Sequence, residues 1–183
     1  LGNSVVDLRE AVDIDPAFAT AWGALGRLCL AAGDLESGLD YLEKARLAAR
    51  VQREAGRALP AAEELEIHRN LAWTLRDLAR WDDGLAAVAA GRELAADDQE
   101  LLLIEGLLLA GAGRTTEAMS IAVRLEPLRY RQFDFTYFGF KYQESSYANN
   151  WIRAQAYLAD GDLATAYELL GEIDLYAYRG RLP

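Results

Sequence analysis

The sequence predicts an all-α fold, a solenoid of stacked helical hairpins. Three observations carry this. Apolar residues recur at helical spacing in several separate stretches. Four of these stretches are cut at mid-length by a small residue followed by a charged one: Gly33-Asp34, Ala79-Arg80, Gly113-Arg114 and Gly161-Asp162. The composition is 52% hydrophobic and 26% charged, which suits a folded chain, and the 183 residues fit one domain or one array.

The elements follow in order. SVVDLREAVDIDPAF reads as the second helix of a hairpin closed by Asp15-Pro16. In AWGALGRLCLAAGDLESGLDYLEKA, the residues Trp22, Leu25, Gly26, Cys29 and Leu30 form one stripe. Leu35, Leu39, Leu42 and Ala45 restart a second stripe after Gly33-Asp34, and Gly26 lies where two helices approach closely. The pattern recurs from Asn70 (Leu71, Leu75, Gly84, Val88), from Gly106 (Leu109, Ala118, Ala122) and from Arg153 (Ala154, Tyr157, Ala166, Leu170).

Aligned on their turns, the units start near Ala19, Leu65, Gln99 and Tyr147, at separations of 46, 34 and 48 positions. The first unit carries W-x-x-L-G as Trp22, Leu25 and Gly26. This resembles the tetratricopeptide repeat family, whose unit is about 34 residues. His68, Leu102 and Asn150 stand where that Trp would be, and Glu105 and Arg153 replace the expected Leu. The resemblance divides the chain into a partial hairpin (1–18), a repeat (19–52), a helix-extending insertion (53–64), two repeats (65–98 and 99–132), an aromatic insertion (133–146) and a last repeat with a tail (147–183). It implies a right-handed superhelix.

The first insertion predicts two lengthened antiparallel helices, with Leu59-Pro60 between them and Pro60 in the first turn of the second. Val51, Ala55, Leu59 and Leu65 pair these helices, and Arg46, Arg50, Arg53, Glu54, Glu63 and Glu64 form solvated faces. The second insertion is the run RYRQFDFTYFGFKYQESSY. Of the chain's 18 aromatics (5 Phe, 4 Trp, 9 Tyr), nine lie from Tyr130 to Trp151. Two periods compete here. Phe133, Phe135 and Tyr137 alternate like a strand, as do Phe138, Phe140 and Tyr142. Tyr130, Phe133, Tyr137 and Phe140 instead follow helical spacing, in phase with Tyr147 and Trp151. Phase continuity and the helical surroundings favour a helix, with Ser145-Ser146 capping the one that follows. The seven aromatics from Tyr130 to Tyr142 carry on the order of 1,000 Å² of apolar surface, more than the roughly 300–600 Å² patches that monomers expose. They fold back between repeats or are covered, and Phe135, Phe138 and Tyr142 are the candidates for an aromatic contact surface.

The net charge of −10 argues against nucleic acid and anionic membranes as partners. No run has the roughly 18 apolar residues of a membrane span, because Glu105 interrupts the longest one. The opening LGNSVVDLRE has no basic region before an apolar core, so it does not read as a signal peptide. The single Cys29 predicts a small buried hydrophobe, and the single His68 a packing or surface imidazole. No nucleotide-binding glycine loop, metal cluster or catalytic set stands out, so no enzyme, cofactor or metal is expected. Asp82-Asp83 and Asp97-Asp98 fall at helix starts, where carboxylates are favourable. The Ala- and Leu-rich style suggests a soluble bacterial protein, cytoplasmic or periplasmic.

In the tetratricopeptide family the first helix of each hairpin lines a groove that holds a peptide or a partner helix. The resemblance places Gly23, Arg27 and Leu30, then Arg69, Trp73 and Arg76, then Leu103, Leu107 and Ala110, then Trp151, Gln155 and Leu158 on that face. Arg27, Arg69, Trp73, Arg76, Leu103, Leu107, Trp151 and Gln155 are the candidate binding residues, since Trp and Arg are frequent interface anchors. The three Arg either steer an acidic segment or pair with neighbouring acids. The carboxylate clamp of one subclass is incomplete: Asn70 fits it, whereas Gly23, Arg27 and Glu100 stand at its other positions. The expected function is that of a non-catalytic adaptor for a protein or peptide partner. The alternatives are a regulatory or substrate-recruiting module of a larger enzyme or secretion or assembly complex, and a homo-oligomer joined through the aromatic insertion.

Overall fold

The computed structural model describes the backbone of residues 2–126, 132–137, 140–145 and 148–179, and the side chains of residues 5–126 and 149–171. Among these residues nine helices pack as sequential antiparallel pairs. Helix α1 (Gly2–Ile14) leans on α2 (Ala19–Ala31). The pairs are α2 with α3 (Leu35–Glu54), α4 (Ala61–Asp77) with α5 (Trp81–Leu94), α6 (Gln99–Gly111) with α7 (Thr115–Leu125), and α8 (Ala148–Ala159) with α9 (Leu163–Arg179). The first helices α2, α4, α6 and α8 neighbour one another in a row. Each of α3, α5 and α7 packs on the first helix of the next pair.

The four mid-hairpin breaks have one geometry. The residues Gly33, Ala79, Gly113 and Gly161 take left-handed φ values of 80, 55, 72 and 82°. The next N–H in each case reaches back five residues, to the carbonyls of Cys29, Leu75, Leu109 and Tyr157, at 2.8–2.9 Å. This closure satisfies carbonyls that a helix end leaves open, and it favours glycine because a Cβ is costly at positive φ. Restarts are capped where the sequence allows. Asp34, Asp98 and Asp162 accept hydrogen bonds from the backbone N–H groups of Ser37, Leu101 and Thr165. The Ser37 and Thr165 hydroxyls first, and these backbone bonds second, hold the Asp34 and Asp162 carboxyls below their usual pKa.

The core runs along the row of first helices, with Leu71, Leu101, Ile104, Leu108 and Ile152 all almost fully buried. Gly26 and Gly38 let α2 and α3 meet closely. A Cβ on Gly26 would stand 2.8 Å from Leu42 Cγ, and one on Gly38 would stand 2.5 Å from Leu30 Cδ2. Around the helix-extending insertion, α3 ends at Glu54 and α4 begins one residue after Pro60. Leu65 is buried and Leu59 packs on the core as expected, while Val51 and Ala55 are exposed. Glu64 departs from its expected solvated place. It is buried, and its carboxylate accepts a hydrogen bond from Arg53.

The aromatic insertion differs from the helical expectation. Strand β1 (Gln132–Tyr137) pairs antiparallel with β2 (Phe140–Ser145), from Gln132 opposite Ser145 to Tyr137 opposite Phe140, with Phe135 facing Tyr142 in register. The alternating period prevails because aromatic residues and Thr136 favour extended backbone, and the segment is not bound to the helical phase of α8, which follows it. Residues 138 and 139, and with them Phe138, lie outside the described residues, as does the expected cap at Ser146. The backbone of β1 runs against α4, two pairs back in the chain.

Candidate functional site at the inner helix row

The inner face of α4 carries Arg69, Trp73 and Arg76 at three- and four-residue spacing, one stripe of a helix. Trp73 is only 2% exposed. Its Nε1–H donates to Glu100 Oε1 at 2.8 Å, so the indole has both a packed body and a satisfied polar edge. Its ring stacks on Trp151 of α8, with centroids 6.0 Å apart and planes 25° apart. The guanidinium of Arg76 lies 4.7 Å from the Trp73 centroid and 5.2 Å from that of Trp151, within cation–π range of both. Arg76 is also paired with Asp77.

Glu100 is the buried acid of this site, at 3% exposure. Besides Trp73 it meets Arg69, whose Nε is 3.4 Å from Glu100 Oε2. Arg69 also grips the Asp98 carboxylate through Nε at 3.2 Å and through its terminal nitrogen. The N-terminus of α6, the stripe of α4 and α8 are thus joined by one chain of polar and ring contacts.

The candidate residues separate into two sets. Trp73 and Leu103 are buried and support the face without forming its surface, and the largely buried Leu107 reaches only the cavity wall. Arg69 and Arg76 are half-buried, each engaged by acids of the same chain. Trp151 and Gln155 are half-buried and border an open cavity of about 280 Å³ with Arg76, Asp77, Trp81 and Leu107. Arg27 lies further along the row, 3.4 Å from Glu66. Asn70 is buried, and its amide donates to the Glu66 carbonyl, so it is committed to its own helix. The side chains of Phe135 and Tyr142 lie outside the described residues.

Two contributors were not visible as such in the sequence. Trp81 lines the cavity from the start of α5, where its position reads as an ordinary first-turn residue. Glu100 stands in the sequence only as a residue at a position of the incomplete clamp, and only the position of Trp73 across the row gives it a buried partner.

Elsewhere, Cys29 is half-buried, less enclosed than expected, and burial raises its thiol pKa. Among the described residues no cluster of three or more His, Cys, Asp or Glu side chains could hold a metal ion. No helix there is long and apolar enough to cross a membrane. No family model matches the chain, and no curated protein does.

Proposed function

We propose that the chain is a non-catalytic interaction module, a tetratricopeptide-like right-handed superhelix whose first helices hold a peptide or helix of a protein partner. The observation that carries this reading is the Trp73–Arg76–Trp151 stack beside the cavity that Gln155 and Trp81 border. A rigid aromatic wall with a cation held flat against it offers an apolar seat next to a positive edge, and a neighbouring amide can bond an extended backbone. The four equivalent helix closures and the continuous row of first helices support the repeat assignment. With a net charge of −10, a protein partner suits the chain better than a phosphate backbone.

The test compares partner recovery from native extract by the wild type and by Trp151→Ala and Gln155→Ala variants, with helicity checked by circular dichroism. Loss of the same partner from both folded variants is expected. Unchanged recovery by both would rule out this face as the binding surface.

A further inference from the structure

The hairpin between α7 and α8 sorts its residues by face. In an antiparallel pair, residues directly opposite share a face, and successive residues alternate between faces. The register therefore puts Phe133 with Glu144, Phe135 with Tyr142, and Tyr137 with Phe140 on one face. It puts Gln132 with Ser145, Asp134 with Gln143, and Thr136 with Lys141 on the other. All five aromatic residues of the two strands fall on the first face, and none on the second.

A sheet so divided needs cover. Two strands alone are marginally stable in water and hold when one face is packed. Five aromatic side chains amount to roughly 750–1,250 Å², more than the roughly 300–600 Å² that monomers leave exposed in one patch. The backbone points to the cover. Strand β1 runs against α4, although three helices separate them in the chain. Helix α4 is flanked in the row by α2 and α6 and backed by α3 and α5. The side left for a strand is the inner one, where the stripe of Arg69, Trp73 and Arg76 stands. To reach it from the α7–α8 junction, the hairpin crosses the inner side of α6, which lies between α8 and α4 in the row. This contact is made within one chain, so the occupant of the inner side is the chain's own segment.

We propose that the hairpin is the resident occupant of the inner face: it lies with its aromatic face on α4 and α6 and shields that part of the row from a partner. The consequence for binding rests on the inner face being the partner surface, as proposed above. The cavity at Arg76, Trp151 and Gln155 stays open. A partner seats there first and gains the rest of the row only by lifting the hairpin.

Hydrogen exchange in the intact chain tests this, read over α4 and α6 with α2 and α3 as the reference. Combined Phe135→Ser and Tyr142→Ser substitution is expected to speed exchange on α4 and α6 by about tenfold or more, since local opening sets the rate. Asp134→Ser with Gln143→Ser, on the other face, leaves it unchanged. A second measurement replaces residues 132–145 by a short Gly-Ser linker, which fits because Gln132 and Ser145 lie opposite each other. That chain binds a cyclised peptide of residues 132–145 saturably, and the wild type does not. The peptide holds no tryptophan, so the fluorescence change is that of the protein's own indoles. Neither readout needs a partner, so either can fail while partner recovery through Trp151 and Gln155 holds, and the reverse. Three results overturn the proposal. The first is equal exchange in the two intact variants. The second is a folded linker chain that binds the peptide no better than the wild type. The third is a wild-type dimer in sedimentation that the Phe135→Ser and Tyr142→Ser variant dissolves, which assigns the aromatic face to a second copy.

Discussion

Trp73 and Trp151 stack at 6.0 Å although α4 and α8 are separated by the whole α6–α7 pair. The two rings thus close the inner row over α6. Trp73→Ala removes a fully packed indole and takes from Glu100 one of its hydrogen-bond donors, for an expected loss of about 3–5 kcal/mol. Trp151→Ala, at a half-buried site, costs less. A double-mutant cycle by urea unfolding should return a coupling of about 0.5–1.5 kcal/mol. Simple additivity would show that the stack contributes nothing beyond burial.

The Arg69–Glu100 contact makes a sharper stability prediction. Arg69→Ala takes the nearby cation from the buried Glu100 carboxylate and from Asp98, and breaking a buried pair costs about 3–5 kcal/mol. Glu100→Gln in the Arg69→Ala background removes that charge and keeps an acceptor for Trp73. It should recover part of the loss, measured as the shift in the denaturation midpoint.

Ala79 stands in a turn position that glycine fills at Gly33, Gly113 and Gly161. Ala79→Gly relieves the positive φ and should stabilise the fold by up to about 1 kcal/mol, read as a higher melting temperature. Gly113→Ala should do the reverse, by a similar amount.

The depressed pKa of His68 sets a pH dependence with a definite sign. The unfolded chain takes up a proton near pH 6.5, whereas the folded chain resists it to lower pH. Stability from this residue is therefore complete above about 6.5, and it is lost as pH falls toward the folded-state pKa. His68→Gln should flatten the stability profile in that window, measured by denaturant unfolding between about pH 5 and 7.

Much of the helical order was legible because it is local. The small-then-charged breaks mark four turns, and even Ala79 could be placed by the repetition around it. Repeat spacing also put Trp73 and Trp151 on one row. Burial along that row was not legible, because it depends on what lies across it: Glu64 reads as a solvated charge until Arg53 meets it, and nothing in the sequence pairs Glu100 with Trp73. In the aromatic run both periods were present in the same residues. The phase of the following helix favours the helical one, yet the hairpin follows its own alternation.

The contact of β1 with α4 has a mechanical meaning. An array whose units touch only their immediate neighbours can fray from either end, one unit at a time. A strap from the α7–α8 junction back to α4 instead closes the middle of this succession of helix pairs into a loop. Closing that loop has an entropic cost that must be met before the contact forms, which slows assembly. Once closed, it makes α4 through α7 unravel as one block.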